Sequence, residues 1–163
     1  MTFTENIVQR MLSIKYEDLP LSAIEMTNFM TMDSIGNILA ASQMDLGQKI
    51  IGIDKRGEVG SSTVLGTDQV ASLSRAVFIN SSLAQLLDFD DTHEMNTFAV
   101  GHPGPAIVPI SLAIGERFKT KGKNLARAII LGYTAVQNKL KQKTCPSNCN
   151  VFGGHFGQVG SAN

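Results

Sequence analysis

Between residues 86 and 104, the sequence LLDFDDTHEMNTFAVGHPG concentrates side chains that exchange protons. Carboxylates, a hydroxyl and imidazoles occur together here: Asp88, Asp90, Asp91, Thr92, His93, Glu94 and His102. Neighbouring like charges and burial can protonate one carboxyl group of such a cluster while another stays ionised, which separates an acid from a base. The stretch therefore predicts acid–base chemistry at one pocket. The structural alternative is a hydrated helix end rich in aspartate.

The short pattern Asp88-Phe89-Asp90-Asp91-Thr92 also resembles the D-x-D-x-T motif of haloacid-dehalogenase-like phosphatases. In that chemistry the first aspartate attacks phosphorus, and further carboxylates hold a Mg²⁺ ion. After Glu94, however, the chain has a single acidic residue, Glu116. The pattern also follows a helical periodicity instead of a buried strand, so a Mg-dependent phosphatase is a remote alternative.

Metal-ligand spacings are weak in this sequence. His93 and His102 lack an H-x-H or H-x3-H spacing, and Cys145 and Cys149 with His155 differ from the usual four-ligand zinc patterns. The spacing therefore favours free thiols over a metal site. A third possibility is cofactor-free proton transfer on a carbon acid, in which His102 moves the proton and Thr92 hydrogen-bonds a carboxylate or an enolate-like oxygen.

Length and composition are those of one globular domain. The chain has 163 residues, of which 43% are hydrophobic and 17% charged, enough to bury a core. No apolar run is long enough for a membrane span. Glu5, Glu17 and Asp18 interrupt the first twenty residues, which argues against a signal or transit peptide and favours a cytoplasmic location.

The net charge of zero hides an asymmetry along the chain. Positions 1–116 contain 6 basic and 14 acidic residues, whereas positions 117–163 contain 8 basic residues and no acid. A basic segment can attract an anion, but it can equally be a solvated face or meet a partner. Because no aromatic residues interleave with the basic ones, nucleic acid is not expected as a partner.

The elements that must position these groups are mainly helices. Apolar spacing predicts helices at about 4–15, 22–43, 68–87 with a break at 80–82, from Pro109 toward Lys121, and 123–140. Ser22 to Glu25 has the capping-box pattern, and the Pro-rich segment at 102–105 is expected to stop a helix. Short β-rich runs between 47 and 67 predict a hairpin or extended arms as the only strand content. The fold class is therefore all-α, with at most a short β arm.

Four longer stretches carry a wider resemblance. YEDLP with MDSIGNILAAS, STVLGT, LLDFDDTH with GHPGPAIVPISLAIGE, and KNLARAIILGYTAVQNKL cover nearly the whole chain. They are similar, in order, to the N-terminal helix signature, the extended arm, the active-site signature and the following helix of the MmgE/PrpD family. This family includes 2-methylcitrate dehydratase, cis-aconitate decarboxylase and iminodisuccinate epimerase. Residues 1–163 resemble the N-terminal part of its helical domain.

The resemblance implies a homodimeric, cofactor-free enzyme that eliminates water or carbon dioxide from small di- or tricarboxylic acids, or epimerises them, by proton transfer next to a carboxylate. It places Asp88, Thr92 and His102 at catalytic or substrate-contacting positions. Asp91 and His93 are adjacent candidates. His155 is a further candidate near the end of the chain, if a gap is allowed in matching the Gly-aromatic-His motif of the family.

The sequence departs from the family in two respects. The interval between Thr92 and His102 is a few residues longer than the family pattern, so the loop between them differs. Family members are also several hundred residues long and carry a lid domain with later basic, histidine and tyrosine site residues, which are absent here. A truncated noncatalytic protein, or half of an enzyme that needs a complementary chain, is therefore the alternative to a complete lyase.

Overall fold

The computed structural model describes residues 2–53, 60–95 and 99–144. In these ranges the chain forms six α-helices and four short strands. The helices are α1 (Phe3–Ser13), α2 (Leu21–Ser42), α3 (Asp45–Ile51), α4 (Leu73–Gln85), α5 (Gly104–Arg117) and α6 (Gly122–Thr144), and the strands are β1 (Ser62–Thr63), β2 (Val70–Ala71), β3 (His93–Met95) and β4 (Ala99–Gly101). The prediction of an all-α domain with a short β arm is confirmed.

Helix α2 is the central element, and it packs against α4, α5 and α6. One core cluster lies where α2 and α4 meet α3 and the first two strands, with Ile38, Ile79 and Leu83 at its centre. A second cluster joins α5 to α6 through Ile107, Val108, Ile129 and Tyr133. The loop that carries the predicted site connects α4 to α5, so it lies between elements that both pack on α2.

Glycine at position 132 allows α5 and α6 to approach closely. A Cβ on Gly132 would lie 2.9 Å from Cγ2 of Ile107, which is closer than two carbon atoms normally pack. Glycine is therefore required here for close packing of the two helices. The contact fixes α6, and with it Tyr133, against the start of α5.

Helix ends are stabilised by long-range and local contacts. Thr2 and Glu5 form a capping box at the start of α1, where two backbone donors would otherwise be unpaired. Arg127 of α6 donates to the backbone oxygens of Ile14, Met11 and Leu12 at 2.6, 3.2 and 3.2 Å. This guanidinium therefore joins the end of α1 to the helical bundle.

One predicted helix cap and one predicted helix start are wrong, and proline explains both. The capping box at Ser22 does not form, because α2 begins at Leu21 after Pro20, which has extended backbone and no side-chain cap. The Pro-rich segment after His102 starts a helix instead of stopping one. Proline fits the first turn of a helix, and α5 has Pro103 as its N-cap and Pro105 in its first turn.

The strand content also differs from the prediction. Residues 49–51 belong to α3, and the partner of β1 is β2, with Ser62 opposite Ala71 and Thr63 opposite Val70. A short apolar run fits either a helix or a strand, and here it buries Ile51 in the first core cluster. A second antiparallel pair, β3 with β4, lies between the predicted site residues, so the first arm is not the only strand content.

Candidate active site

The loop after α4 begins with a turn at Asp88. This residue has a φ of 51°, in the left-handed region, and its N–H donates to the Gln85 oxygen at 3.0 Å. Aspartate tolerates this conformation better than most residues with a side chain. The turn ends the helix and leaves the Asp88 side chain exposed at the edge of the acidic cluster.

Asp90 is the most deeply buried carboxylate of the loop, and it faces His102. Oδ2 of Asp90 lies 3.1 Å from Nδ1 of His102, and the two side chains are 1% and 33% exposed. Gln85 Nε2 donates to the other oxygen, Oδ1, at 3.0 Å. Oδ2 makes no hydrogen bond of regular geometry within the described part of the chain. Its close polar neighbour is the His102 imidazole. The pair presents a half-exposed imidazole on a buried carboxylate.

Asp91 is held at the start of α5. Its Oδ1 accepts a hydrogen bond from the Gly104 N–H at 2.9 Å, and a carboxylate at a helix N-terminus is stabilised by the helix dipole. A Cβ on Gly104 would overlap the Asp91 carboxylate and lie 3.0 Å from the Tyr133 hydroxyl oxygen. Glycine at 104 therefore lets the loop, α5 and α6 meet at one point.

Tyr133 places a buried hydroxyl group where the loop, α5 and α6 meet at Gly104. The residue is 7% exposed, and its oxygen has no hydrogen bond of regular geometry within the described ranges. Burial, and then the charges of Asp91, Asp33 and Asp90, raise the pKa of Tyr133 far above its ordinary value. Tyr133 therefore stays neutral at physiological pH and is a potential hydrogen-bond donor toward the cluster.

Helix α2 contributes a third carboxylate. Desolvation by partial burial, followed by repulsion from Asp91 and Asp90, raises the pKa of Asp33 above its ordinary value. Asn37, one turn further along α2, has its amide nitrogen 3.4 Å from both Asp33 Oδ2 and the Phe89 oxygen. The acidic loop thus lies directly on α2.

We expect Asp33→Asn to stabilise the fold at neutral pH by less than about 1 kcal/mol, because water screens an exposed carboxylate. A raised pKa means that the folded chain binds this proton more tightly than the unfolded chain. Wild-type stability therefore falls as the pH rises from 3.8 through the folded pKa of Asp33. Urea unfolding between pH 3.5 and 7 measures the difference between variant and wild type.

The stabilisation by Asp33→Asn should disappear at the acidic end of that range, where the wild-type carboxyl group is already protonated. Asp68→Asn is the matched control, since Asp68 is exposed on the turn between β1 and β2. An equal gain in both variants, or a gain that grows as the pH falls, would contradict repulsion within the cluster.

The predicted site residues occupy one region, with different exposure. Asp88 and Thr92 are exposed, Asp91 is half-buried and His102 follows β4 at the start of α5. His93 is the first residue of β3. The candidate His155, and Cys145 and Cys149, lie outside the described residues. The catalytic roles assigned to these side chains stay predictions.

Three further residues act on the cluster but were not named from the sequence: Asp33, Gln85 and Tyr133. Asp90 was named in the acidic cluster, but without a role of its own. Asp33 and Tyr133 lie in the stretches MDSIGN and GYT, which carry the family resemblance. That resemblance is the sequence signal that could have identified them. Gln85 is an ordinary helical residue, and its role follows only from its contact with Asp90. Within the described ranges, no three histidine, cysteine or acidic side chains converge on a position that could hold a metal ion.

Comparison with known proteins identifies the family of the chain. The model of the MmgE/PrpD N-terminal domain matches residues 5–163, and a search of curated proteins finds no match to the chain. No helix in the described part of the chain is both long and apolar enough to span a membrane. The matched range includes the helices and the whole acidic loop. The chain therefore belongs to the MmgE/PrpD family.

Proposed function

We propose that this domain carries the proton-transfer groups of a cofactor-free lyase that acts on a small di- or tricarboxylic acid such as 2-methylcitrate or cis-aconitate. The observation that carries the proposal is the pair of His102 with buried Asp90, 3.1 Å apart and open to solvent on the imidazole side. An imidazole held in this way suits general acid–base catalysis near neutral pH. Family membership supports the reaction class.

In a dehydration, neutral His102 takes a proton from the carbon next to a substrate carboxylate. The electron pair of the broken C–H bond forms the alkene, and the hydroxyl group leaves as water after it receives a proton. The imidazolium that results is stabilised by the Asp90 carboxylate. Asp88 and Thr92, both exposed on the same loop as Asp90, are the proposed groups for contacting substrate and transferring the second proton.

In a decarboxylation, His102 acts as the proton donor instead of the proton acceptor. Cleavage of the bond to carbon dioxide leaves its electron pair on the substrate carbon skeleton, and the imidazolium form of His102 delivers a proton to that carbon. An epimerisation needs removal of a proton and its return to the other face. The geometry of the described residues serves all three reactions, because each requires a proton at one carbon next to a carboxylate.

A cofactor-free assay tests this proposal. We expect the purified chain, in buffer with EDTA, to convert 2-methylcitrate or cis-aconitate, followed by alkene absorbance and carbon dioxide release. Asp68→Asn should keep this activity, because Asp68 is exposed on the turn between β1 and β2 and lies outside the acidic loop. A folded chain that converts neither acid would overturn the proposal that this chain is a lyase by itself.

A second candidate is a noncatalytic or partner-dependent half of such an enzyme. The charges that act on Asp33 and Tyr133 within the described residues are those of carboxylates, and these repel an anionic substrate unless cations are supplied from elsewhere. Substrate titration followed by NMR distinguishes the candidates. Absence of both binding and turnover supports the partner-dependent half, whereas binding without turnover supports a noncatalytic protein.

We further propose a homodimer, or assembly with a complementary chain, in the cytoplasm. Exposed apolar side chains on α2, namely Phe29 at 62%, Met32 at 62% and Leu39 at 46%, support an association surface, since such strips are unfavourable in water. The mass of the chain in solution, measured by light scattering, tests the assembly. A monomer at high micromolar concentration would contradict the homodimer.

A further inference from the structure

We propose that Asp90 is a positioning residue that fixes the tautomer of His102, and that Gln85 orients Asp90 for this task. This inference rests on the proposed function only for its effect on turnover. Its structural content concerns three side chains: Gln85 at the last turn of α4, Asp90 in the loop, and His102 before α5. Each step follows from the donors and acceptors that these side chains present to one another.

The first step concerns the two oxygens of Asp90. Oδ1 accepts a hydrogen bond from Gln85 Nε2 at 3.0 Å, so its direction is fixed by an amide donor. Oδ2 is buried, has no regular hydrogen bond within the described chain, and lies 3.1 Å from His102 Nδ1. A buried carboxylate oxygen without a donor is costly, and His102 Nδ1 is the donor at hand.

The second step concerns the imidazole. Neutral histidine carries its proton on one of two nitrogens, and the hydrogen bond made by one nitrogen decides the state of the other. A carboxylate oxygen only accepts, so Asp90 favours the proton on Nδ1. Nε2 then has a free lone pair, and it is the atom that can take a proton from substrate. Rotation of the ring about its Cβ–Cγ bond, which we expect in the free protein, points Nδ1–H at Oδ2.

Asp90→Asn reverses the tautomer by this reasoning. The Gln85 donor attracts the amide oxygen of the new asparagine, so its NH₂ group turns toward His102. That group donates and cannot accept, which places the imidazole proton on Nε2. The variant keeps the size of the side chain and removes a buried charge, so folding should be preserved, while the atom that faces substrate no longer accepts a proton.

The test is ¹⁵N NMR of the histidine side chains in the free protein at neutral pH, assigned with His102→Asn. We expect the neutral Nδ1–H form of His102 in wild type and in the Asp68→Asn control, and the Nε2–H form in Asp90→Asn. Where the chain turns over substrate, kcat should fall at least about 100-fold in Asp90→Asn while KM changes little, as for a group that acts only in the transition state.

Gln85→Met provides the second variant, because Gln85 is exposed on α4 and its replacement does not disturb the core. Gln85→Met alone should leave His102 in the Nδ1–H form. Combined with Asp90→Asn, it should free the asparagine amide to turn its oxygen toward His102 and restore part of the Nδ1–H form. A loss of packing would not restore the Nδ1–H form of His102, so its recovery in the double variant would point to the hydrogen bonds among the three side chains.

Two results would overturn the inference: a wild-type His102 in the Nε2–H form, or a tautomer that Asp90→Asn does not change. A double variant with no recovery of Nδ1–H would remove Gln85 from the arrangement. The NMR readout needs no substrate, so a chain with the predicted tautomers and no turnover would reject the lyase proposal and leave the positioning role intact.

Discussion

Replacement of His102 by alanine is expected to lower kcat at least about 100-fold, because a positioned acid–base group contributes about 10²–10⁴ to rate. The same change leaves the buried Asp90 carboxylate without its neighbouring imidazole, so some stability should be lost as well. Steady-state kinetics on the acid that wild type converts, together with urea unfolding, measures both effects.

His102→Asn separates catalysis from stability. Its amide nitrogen can occupy the position of Nδ1 and donate to Asp90, but the variant has no atom in the place of Nε2. We therefore expect His102→Asn to unfold like wild type and to be as inactive as His102→Ala. Turnover in His102→Asn near the wild-type rate would exclude Nε2 as the proton acceptor.

Asn80→Leu is expected to have the largest effect on stability, a loss of about 2–4 kcal/mol, because it leaves two backbone groups without their buried partner. The Asn80 side chain is 2% exposed. Its Oδ1 accepts from the Leu65 N–H, and its Nδ2 donates to the Thr63 oxygen, each at 3.0 Å. Leucine has a similar volume and neither group.

Urea unfolding with a shared m-value measures this loss. Ser81→Ala, at the next position of the same helix, is the matched control and should change stability by less than about 0.5 kcal/mol. If Asn80→Leu costs as little as Ser81→Ala, the arm that carries β1 is held by other contacts. Because the Leu65 N–H loses its acceptor in this variant, its hydrogen exchange with solvent should also become faster.

Asn80 illustrates what local sequence could and could not predict. Within the run Asn80-Ser81-Ser82 it indicates a break in α4, since asparagine and serine compete with the helical backbone for hydrogen bonds. The helix instead continues through all three residues. The Asn80 amide instead binds the backbone of the arm that carries β1, some 15 residues earlier in the chain. No local sequence pattern predicts a tertiary partner at that distance.

The helices with long apolar periodicity were predicted, whereas the proline-rich start of α5 was not. Pro109 shows the reason. Inside a helix it removes one backbone hydrogen bond, yet its side chain is fully buried in the packing of α5. The spacing of residues in the sequence indicates the lost hydrogen bond, but it does not indicate the burial of the proline ring that compensates for it.

The region of the candidate site was predicted from composition, but the contacts among its side chains were not. Carboxylates and histidines within 86–104 identified the region, and the resemblance selected Asp88, Thr92 and His102. The contact of His102 with Asp90 depends on the antiparallel pairing of β3 with β4, which folds the chain back after the loop. Asp33 and Tyr133 reach the cluster from α2 and α6, and only packing of the helices brings them there.

Solvent-deuterium incorporation tests the central claim most directly. The chain would be incubated in D₂O with 2-methylcitrate and, separately, with cis-aconitate, and the deuterium on carbon next to a carboxylate would be followed by NMR and mass spectrometry. With wild type and Asp68→Asn we predict incorporation into the decarboxylation product of cis-aconitate or, where the dehydration reverses, into recovered 2-methylcitrate, and background incorporation with His102→Asn. Equal incorporation with His102→Asn, or neither incorporation nor conversion of either acid with the folded wild-type chain, would contradict proton transfer by His102 on a carboxylic acid.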